Sequence, residues 1–342
     1  MKIYNILINV TERCHVGCRH CGYIGSRRDR EMTVDEMADW VGQLCIYAIP
    51  KIIFTGGEAF ERFDLLGRGV RRAHESGVPT AVFTSAFWAK TPESARETLR
   101  EISTLRQLYI STDKYHQERV PLTHVYNAID AALEIGIPRI TMTITYANQR
   151  DLAEVSSWYS CYGGRVEITS QLLIPNKGMR RDETQYIPQF DLSPKNYESS
   201  CFMGTPLINP NGDVFACHIG KVSSHRSIKS SPYALGNLRE SSFVEIMGAA
   251  RKRSDYQYLV AHGPRGVAES MRAQPEAAKG LPRNCFTSGC DMCMSVMLAP
   301  SAAEAFRRHA EASTESTEIK LALLAMREPS CETLDAQVAG AK

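Results

Sequence analysis

The sequence predicts an α/β fold: an open, partial (β/α)6, TIM-like barrel followed by a smaller α+β extension. Three observations carry this. Strand-like and helix-like segments alternate six times between residues 2 and 174. The first of these strands reads as buried and rich in β-branched residues. The rhythm then breaks at Pro175, beyond which the chain is polar and irregular. Six units cannot close an eight-fold barrel, but they make an open parallel one.

The elements follow in order. KIYNILINVT (2–11) is the first strand, and MTVDEMADWVGQLCIYA (32–48) is a helix with Thr33 as N-cap. Strand KIIFT, helix FDLLGRGVRRAHESG, strand TAVFT and helix TPESARETLREIS come next. Strand RQLYIST, helix THVYNAIDAALEIG, strand RITMTIT, helix DLAEVSSWYSC and strand RVEITSQLLI complete the series. Gly77 and Gly136 stop two helices, and Pro79 and Pro138 open the strands after them. The stretch from Pro175 to residue 200 has three prolines and reads as a linker or long loop. PLINPNGDVFACHIG is a hairpin turning at Asn211-Gly212. A helix at 241–254, a looser segment to Cys293 and an Ala/Glu-rich amphipathic tail close the chain. The expected divisions are a barrel at 1–195, a second domain at 196–300 and a helical tail at 301–342.

Composition excludes several function classes. The chain has 342 residues, 43% hydrophobic and 23% charged, with a formal net charge of +2. Nothing in that balance calls for nucleic acid or an anionic membrane. No apolar run approaches the roughly 18 residues of a membrane span, and no signal peptide opens the chain, so a cytoplasmic protein is expected. The unusual number is eleven cysteines. In a reducing compartment such an excess points to metal or catalysis rather than disulfides. Cys45, Cys161 and Cys331 stand alone and are expected to be ordinary core or tail residues.

Cys14, Cys18 and Cys21 fall just past the first strand, at the barrel end where reactive groups sit. Three thiolates on one loop can hold three irons of a cubane and leave the fourth without a protein ligand. Zinc is the plainer alternative, with His15 or His20 as a fourth ligand. The C-x3-C-x2-C spacing resembles the signature of the radical S-adenosylmethionine (SAM) enzymes. In that family the residue before the third cysteine is usually aromatic and lies against the adenine; here it is His20. TGGE at the end of the second strand strengthens the likeness. Gly56, Gly57 and Glu58 resemble the motif that binds the methionine amino group, with Ala59 where a proline is common.

The resemblance spans residues 1–175 and implies further roles. Polar groups on strands four and five bind the ribose and carboxylate of SAM in such enzymes, which makes Ser111 and Asp113 ribose candidates and Thr143 a further SAM contact. Turn capping is the plainer role for Ser111 and Asp113. Thr84, Ser85 and Thr145 are other polar strand-end groups. Tyr115 and His116 are candidates to face substrate, His116 being suited to proton transfer, although a histidine in a polar loop is commonly just solvated. Lys177, Arg180 and Arg181 would form a basic rim with His116, or simply a solvated face.

Cys201, Cys217, Cys285, Cys290 and Cys293 form a second set. Four thiolates from a hairpin and a distant loop can ligate a complete [4Fe–4S] cluster, with a structural zinc ribbon as the alternative. This resembles the SPASM/twitch extension of radical SAM enzymes, but only five cysteines are present where two SPASM clusters need seven. The resemblance therefore implies one auxiliary cluster on Cys201, Cys217, Cys290 and Cys293. Cys285 is then spare, an alternative ligand or a hydrogen donor.

The implied activity is reductive cleavage of SAM at a site-differentiated [4Fe–4S] cluster. The 5′-deoxyadenosyl radical would abstract a substrate hydrogen atom. The auxiliary [4Fe–4S] cluster would then accept an electron, so that a small molecule or short ribosomal peptide is dehydrogenated or crosslinked. An external one-electron donor such as flavodoxin or ferredoxin is implied. The triplet stands too near the N-terminus for a leader-binding domain to precede it, so a separate leader-binding protein would serve a peptide substrate. Two other readings stay open: a redox-neutral epimerase or rearrangement enzyme, and a non-enzymatic iron–sulfur or zinc protein.

Overall fold

The computed structural model describes residues 3, 5–21, 31–47, 49–174, 185, 187–199, 205–218 and 230–327. Six strands run parallel in sequential order: β1 (Ile6–Asn9), β2 (Ile52–Thr55), β3 (Thr80–Thr84), β4 (Gln107–Ser111), β5 (Arg139–Tyr146) and β6 (Glu167–Leu172). Between them lie α1 (Val34–Ile46), α2 (Phe63–Glu75), α3 (Pro92–Arg100), the short α4 (Lys114–Gln117), α5 (Leu122–Ile135) and α6 (Gln149–Ser157). This is the open (β/α)6 arrangement that the alternation predicts. Every residue of β2 is buried, as an apolar run in a covered parallel sheet should be.

Local signals behave as expected where they are local. Thr33 caps α1 by accepting from Glu36 N at 3.1 Å, while the Glu36 carboxylate accepts from Thr33 N at 2.8 Å. This reciprocal pair contributes about 1 kcal/mol. Gly136 ends α5 in the left-handed region at φ 84°, where a side chain would be strained.

The sheet does not stop at the barrel. β7 (Leu207–Ile208) pairs parallel with β1, and β8 (Asp213–Phe215) and β9 (Ala234–Asn237) continue it antiparallel. Gly212 makes the turn between β7 and β8 with φ 90°. One continuous core runs from Ile6 and Trp40 through Phe215 and Tyr256 to Phe306. The rest of the C-terminal extension is helical. The segment expected to be loose contains a helix, Ser254–Ala273. Its period is hidden in the sequence by Gly263-Pro264, which the chain accommodates by leaving helical geometry at Gly263 (φ 56°, ψ −153°). Helices Gly289–Leu298, Pro300–Ala312 and Thr314–Arg327 follow. Among the described residues no helix is long and apolar enough to cross a membrane.

Two solitary cysteines differ from each other. Cys45 is half-buried against the core, but Cys161 is exposed, because α6 ends at Ser157 and leaves Cys161 in a 3-10 turn. Cys331 lies outside the described residues.

Arg239, just past β9, fastens the hairpin to α1. It donates to Glu36 at 2.6 and 3.0 Å and to the Pro210 and Glu31 carbonyls at 3.3 Å, binds the Asn211 carbonyl, and lies over the Trp40 ring. Arg239→Ala should lower the unfolding free energy by roughly 2 kcal/mol, since a half-buried carboxylate and several carbonyls lose their donor. The denaturant midpoint reads this. Arg239→Lys should recover only part of it, because one ammonium cannot span so many acceptors.

Candidate functional site

The carboxyl ends of β1, β2, β3 and β4 meet at one end of the sheet. The hydrogen-bond ladder of β1 and β2 runs past the strands: Val10 N donates to Thr55 O, Gly57 N to Thr11 O, and Glu58 N to Arg13 O, at 2.8–2.9 Å. The start of the cysteine loop is therefore zipped onto the 56–58 turn. Only glycine fits at this seam. A Cβ on Gly57 would stand 2.3 Å from Arg13 O, and one on Gly56 would stand 2.6 Å from Thr11 O.

On the loop itself, Cys14, Cys18 and Cys21 gather in one small apolar cluster with Val16, Val120 and Phe87. Gly17, at φ 64°, turns the chain between the first two, and Cys21 N closes a turn onto Cys18 O at 3.0 Å. Burial pushes the Cys14 thiol up to about 11, against the N–H groups of Val16 and Gly17 that hydrogen-bond to it. A metal replaces that proton and reverses the preference. Two side-chain contacts pin the loop to the barrel: a hydrogen bond between His15 Nδ1 and Glu61 at 2.5 Å, and Arg19 in a fork with Glu118. Neither is legible in sequence, since the partners stand 46 and 99 residues away.

Glu58 is buried, and its burial drives the carboxyl pKa up. Four donors oppose that. Ser85 gives its N–H at 2.8 Å and its hydroxyl at 2.7 Å to Oε2, while Thr84 Oγ1 and Phe60 N donate to Oε1 at 2.9 and 3.2 Å. Ala86, a non-glycine residue at φ 64°, shapes the turn that aims Ser85, a conformation that costs roughly 1 kcal/mol. Thr84 and Ser85, noticed in the sequence only as polar strand ends, are thus the anchors of Glu58. With its carboxylate held this way, Glu58 fixes the turn, and the backbone around Gly56 and Gly57 is what the turn offers a ligand.

At the end of β4, Asp113 caps α4, the plainer of the two roles open to it. Its carboxylate is buried and fully engaged: Oδ1 accepts from Tyr115 N and His116 N at 2.9 Å, and Oδ2 meets His116 Nδ1 at 2.9 Å and Thr145 N at 3.3 Å. Desolvation opposes its charge, yet His116 and these donors hold its pKa below the usual range. Ser111 and Thr143 stand opposite each other in the β4–β5 register, their hydroxyls 3.5 Å apart and half-buried. His116 is half-buried, its side chain 15% exposed. Asp113 and Cys18 push its pKa up to about 10 against desolvation. His20 lies beside it, ring centroids 4.9 Å apart, and is pushed down to about 4, first by burial and then by His116. Its Nδ1 is buried with no hydrogen-bond partner among the described residues.

The donor set offers two metal arrangements, three thiols of one loop for a cluster and a cysteine–histidine trio for a single ion. A tetrahedral zinc with Zn–S near 2.3 Å would draw thiols to about 3.8 Å of one another. Among the described residues Cys14, Cys18 and Cys21 do not form such a group; the trio whose ligand atoms lie within 4.8 Å is Cys18, His20 and His116.

The second thiol set is less fully described. Cys201 lies outside the described residues, as do Lys177, Arg180 and Arg181. Cys217 is buried just past β8. Cys290 and Cys293 sit one turn apart on helix Gly289–Leu298, hence on one face. Ser288 caps that helix by accepting from Asp291 N at 3.2 Å, and buried Asp291 holds Thr287 and Arg283, which orders the loop bearing the exposed Cys285. Cys293 and Cys285 are both near enough to Tyr197 to add to the burial that raises its phenol.

Residues 8–156 match the family model described as "Radical SAM superfamily", and this part of the chain is a radical SAM domain. A probable GTP 3′,8-cyclase of Methanocella arvoryzae is 28% identical over 157 residues, 42% of this chain and 48% of that protein. The putative peptide biosynthesis protein YydG of Bacillus subtilis is 23% identical over 158 residues, 44% of this chain and 48% of that protein. The match spans about half the length of these relatives. Among solved structures, Streptococcus suis SuiB bound to S-adenosylmethionine aligns with a TM-score of 0.44 at 12% identity, over 72% of this chain and 65% of that one.

Proposed function

We propose that this chain is a radical SAM enzyme that abstracts a hydrogen atom from a small molecule or a short ribosomal peptide and oxidises it by dehydrogenation or crosslinking. One observation carries the reading: three cysteines, the glycine-lined 56–58 turn and the polar end of β4 converge at the carboxyl ends of a parallel sheet. Cys14, Cys18 and Cys21 would hold the [4Fe–4S] cluster. The cluster and SAM, when bound, supply the electron and the 5′-deoxyadenosyl radical.

The protein's own part is placement. The turn at Gly56, Gly57 and Glu58 would present backbone groups to the methionine amino group, with Glu58 keeping the turn rigid. The neutral ring of His20 would lie against the adenine, and Ser111 and Thr143 would meet the ribose and carboxylate. Cys201, Cys217, Cys290 and Cys293 are the assignment for one auxiliary [4Fe–4S] cluster, with Cys285 in reserve as a ligand or a hydrogen donor. A flavodoxin or ferredoxin would supply electrons, and a separate leader-binding protein would present a peptide substrate. The relative named for peptide biosynthesis supports the peptide class, and the relative named as a GTP cyclase keeps the small-molecule class in play.

Anaerobic reconstitution tests this. About eight irons per chain, 5′-deoxyadenosine on addition of reductant and SAM, and a product lighter by two hydrogens are expected. About four irons would remove the auxiliary cluster. Two zinc ions with no SAM binding would overturn the enzyme reading altogether. The cyclase relatives also favour a second reading, a redox-neutral rearrangement, which a product of unchanged mass would establish.

A further inference from the structure

The helix Ser254–Ala273 breaks at Gly263, whose φ of 56° and ψ of −153° suit glycine alone, and Pro264 follows directly. Both residues are buried. A Cβ on Gly289 would stand 3.0 Å from Pro264 Cβ and 3.1 Å from its Cγ, with the Tyr197 ring at 3.8 Å. The Pro264 ring is therefore the seat of the first residue of helix Gly289–Leu298, which carries Cys290 and Cys293. Arg265, next along the kink, donates from its backbone N to Glu198 O at 3.0 Å and from Nε to Tyr197 O at 3.1 Å. Tyr197 is buried, and its hydroxyl donates to the carbonyls of Asp191 at 2.8 Å and Phe190 at 3.3 Å. Phe190 pairs with Phe286 through two backbone hydrogen bonds of 2.8 and 2.9 Å, and Phe286 follows Cys285. One turn of one helix thus holds three pieces of chain. They are the strand segment beside Cys285, the start of the helix bearing Cys290 and Cys293, and the stretch at 197–198, which Cys201 follows in the sequence.

We propose that the kink at Gly263, Pro264 and Arg265, together with Tyr197, is a positioning device that sets the second group of cysteines in place before metal binds. This rests on the auxiliary-cluster assignment above and adds the residues that serve it. Thiols carried on separate segments lose backbone freedom when they meet at one metal centre. Segments already fixed by packing and hydrogen bonds have lost it on folding, so binding is tighter. An unbroken helix would carry residues 264 and 265 along a different line and leave Gly289 without its seat.

Cobalt(II) is the probe, read by its thiolate charge-transfer absorption on the metal-free full-length chain. Cys14, Cys18 and Cys21 are replaced by alanine in this parent so that only the second set reports. Gly289→Ala, which drives its helix off Pro264, should raise the cobalt Kd by about tenfold or more, as losing a group that orients metal ligands does. Tyr197→Phe keeps the ring against Gly289 and loses only the hydroxyl. It should raise the Kd by less, and it decides the matter if Gly289→Ala fails to fold. Gly248→Ala is the control, because nothing lies within 4 Å of its added carbon, and it should leave the Kd unchanged. With the first three cysteines restored, Gly289→Ala should lose the auxiliary irons and keep SAM cleavage. A lowered melting temperature with the parent's Kd, in whichever of Gly289→Ala and Tyr197→Phe folds, would mark a purely structural role and overturns the proposal alone. No thiolate-bound cobalt in the parent chain overturns the auxiliary-cluster assignment with it.

Discussion

Alanine at Cys14, Cys18 or Cys21 should abolish 5′-deoxyadenosine formation, by more than about 1000-fold, while leaving the protein folded. The chemistry belongs to the cluster and its ligand, and a cubane held by two thiolates has lost one of only three anchors. The thiols contribute little to the fold, since they sit in a small satellite cluster with Val16, Val120 and Phe87 rather than in the main core. Iron content should fall by about four per chain, the share of one cluster, and the circular dichroism melt should stay close to wild type. Activity surviving in any one of the three variants with its iron intact would show that the triplet is not the ligand set. Alanine at Cys217 or Cys293 should instead leave SAM cleavage in place and remove product oxidation, which separates the two thiol sets.

Gly57→Ala should be the most damaging small change in the barrel. The added methyl would meet backbone on every side: Arg13 O at 2.3 Å, Arg13 C at 2.7 Å and Glu12 O at 2.8 Å. No side chain can swing away, and the Arg13 carbonyl is already committed to Glu58 N at 2.9 Å. Relief requires moving the cysteine loop off the turn. Overpacking of this kind costs roughly 1–3 kcal/mol, and the displaced loop should weaken SAM binding by at least about tenfold. Gly67→Ala in α2 is the control, because nothing lies within 4 Å of its added carbon. It should raise stability by about 0.5–1 kcal/mol through helix propensity. A lowered melting temperature for Gly57→Ala, a smaller rise for Gly67→Ala, and SAM affinity lost only at Gly57 are the expected pattern. Unchanged SAM affinity in Gly57→Ala would remove the turn from the binding site.

The parts of the site legible in the sequence are those whose geometry is local. Cys14, Cys18 and Cys21 lie on one loop, Gly56 to Glu58 on one turn, and the capping box of Thr33 and Glu36 within four residues. Asp113 shows the limit. Its type and place at a strand end suit a ligand hydroxyl and a helix cap equally, and the choice depends on His116 and on Thr145 from the next strand. The helix Ser254–Ala273 marks another limit: glycine followed by proline ordinarily ends a helix, and here packing carries the chain past the kink.

By itself the sequence determined the alternation of strands and helices, the parallel sheet and the two sets of thiols, because these follow from short-range period and spacing. Tertiary structure decided how the groups are used. It turned Thr84 and Ser85 into the anchors of Glu58, joined His15 to Glu61 and Arg19 to Glu118, and set His116 against Cys18. Those partners meet only when strands distant in the chain end at the same edge of the sheet. A buried charge takes its role from whichever donors the fold brings to it.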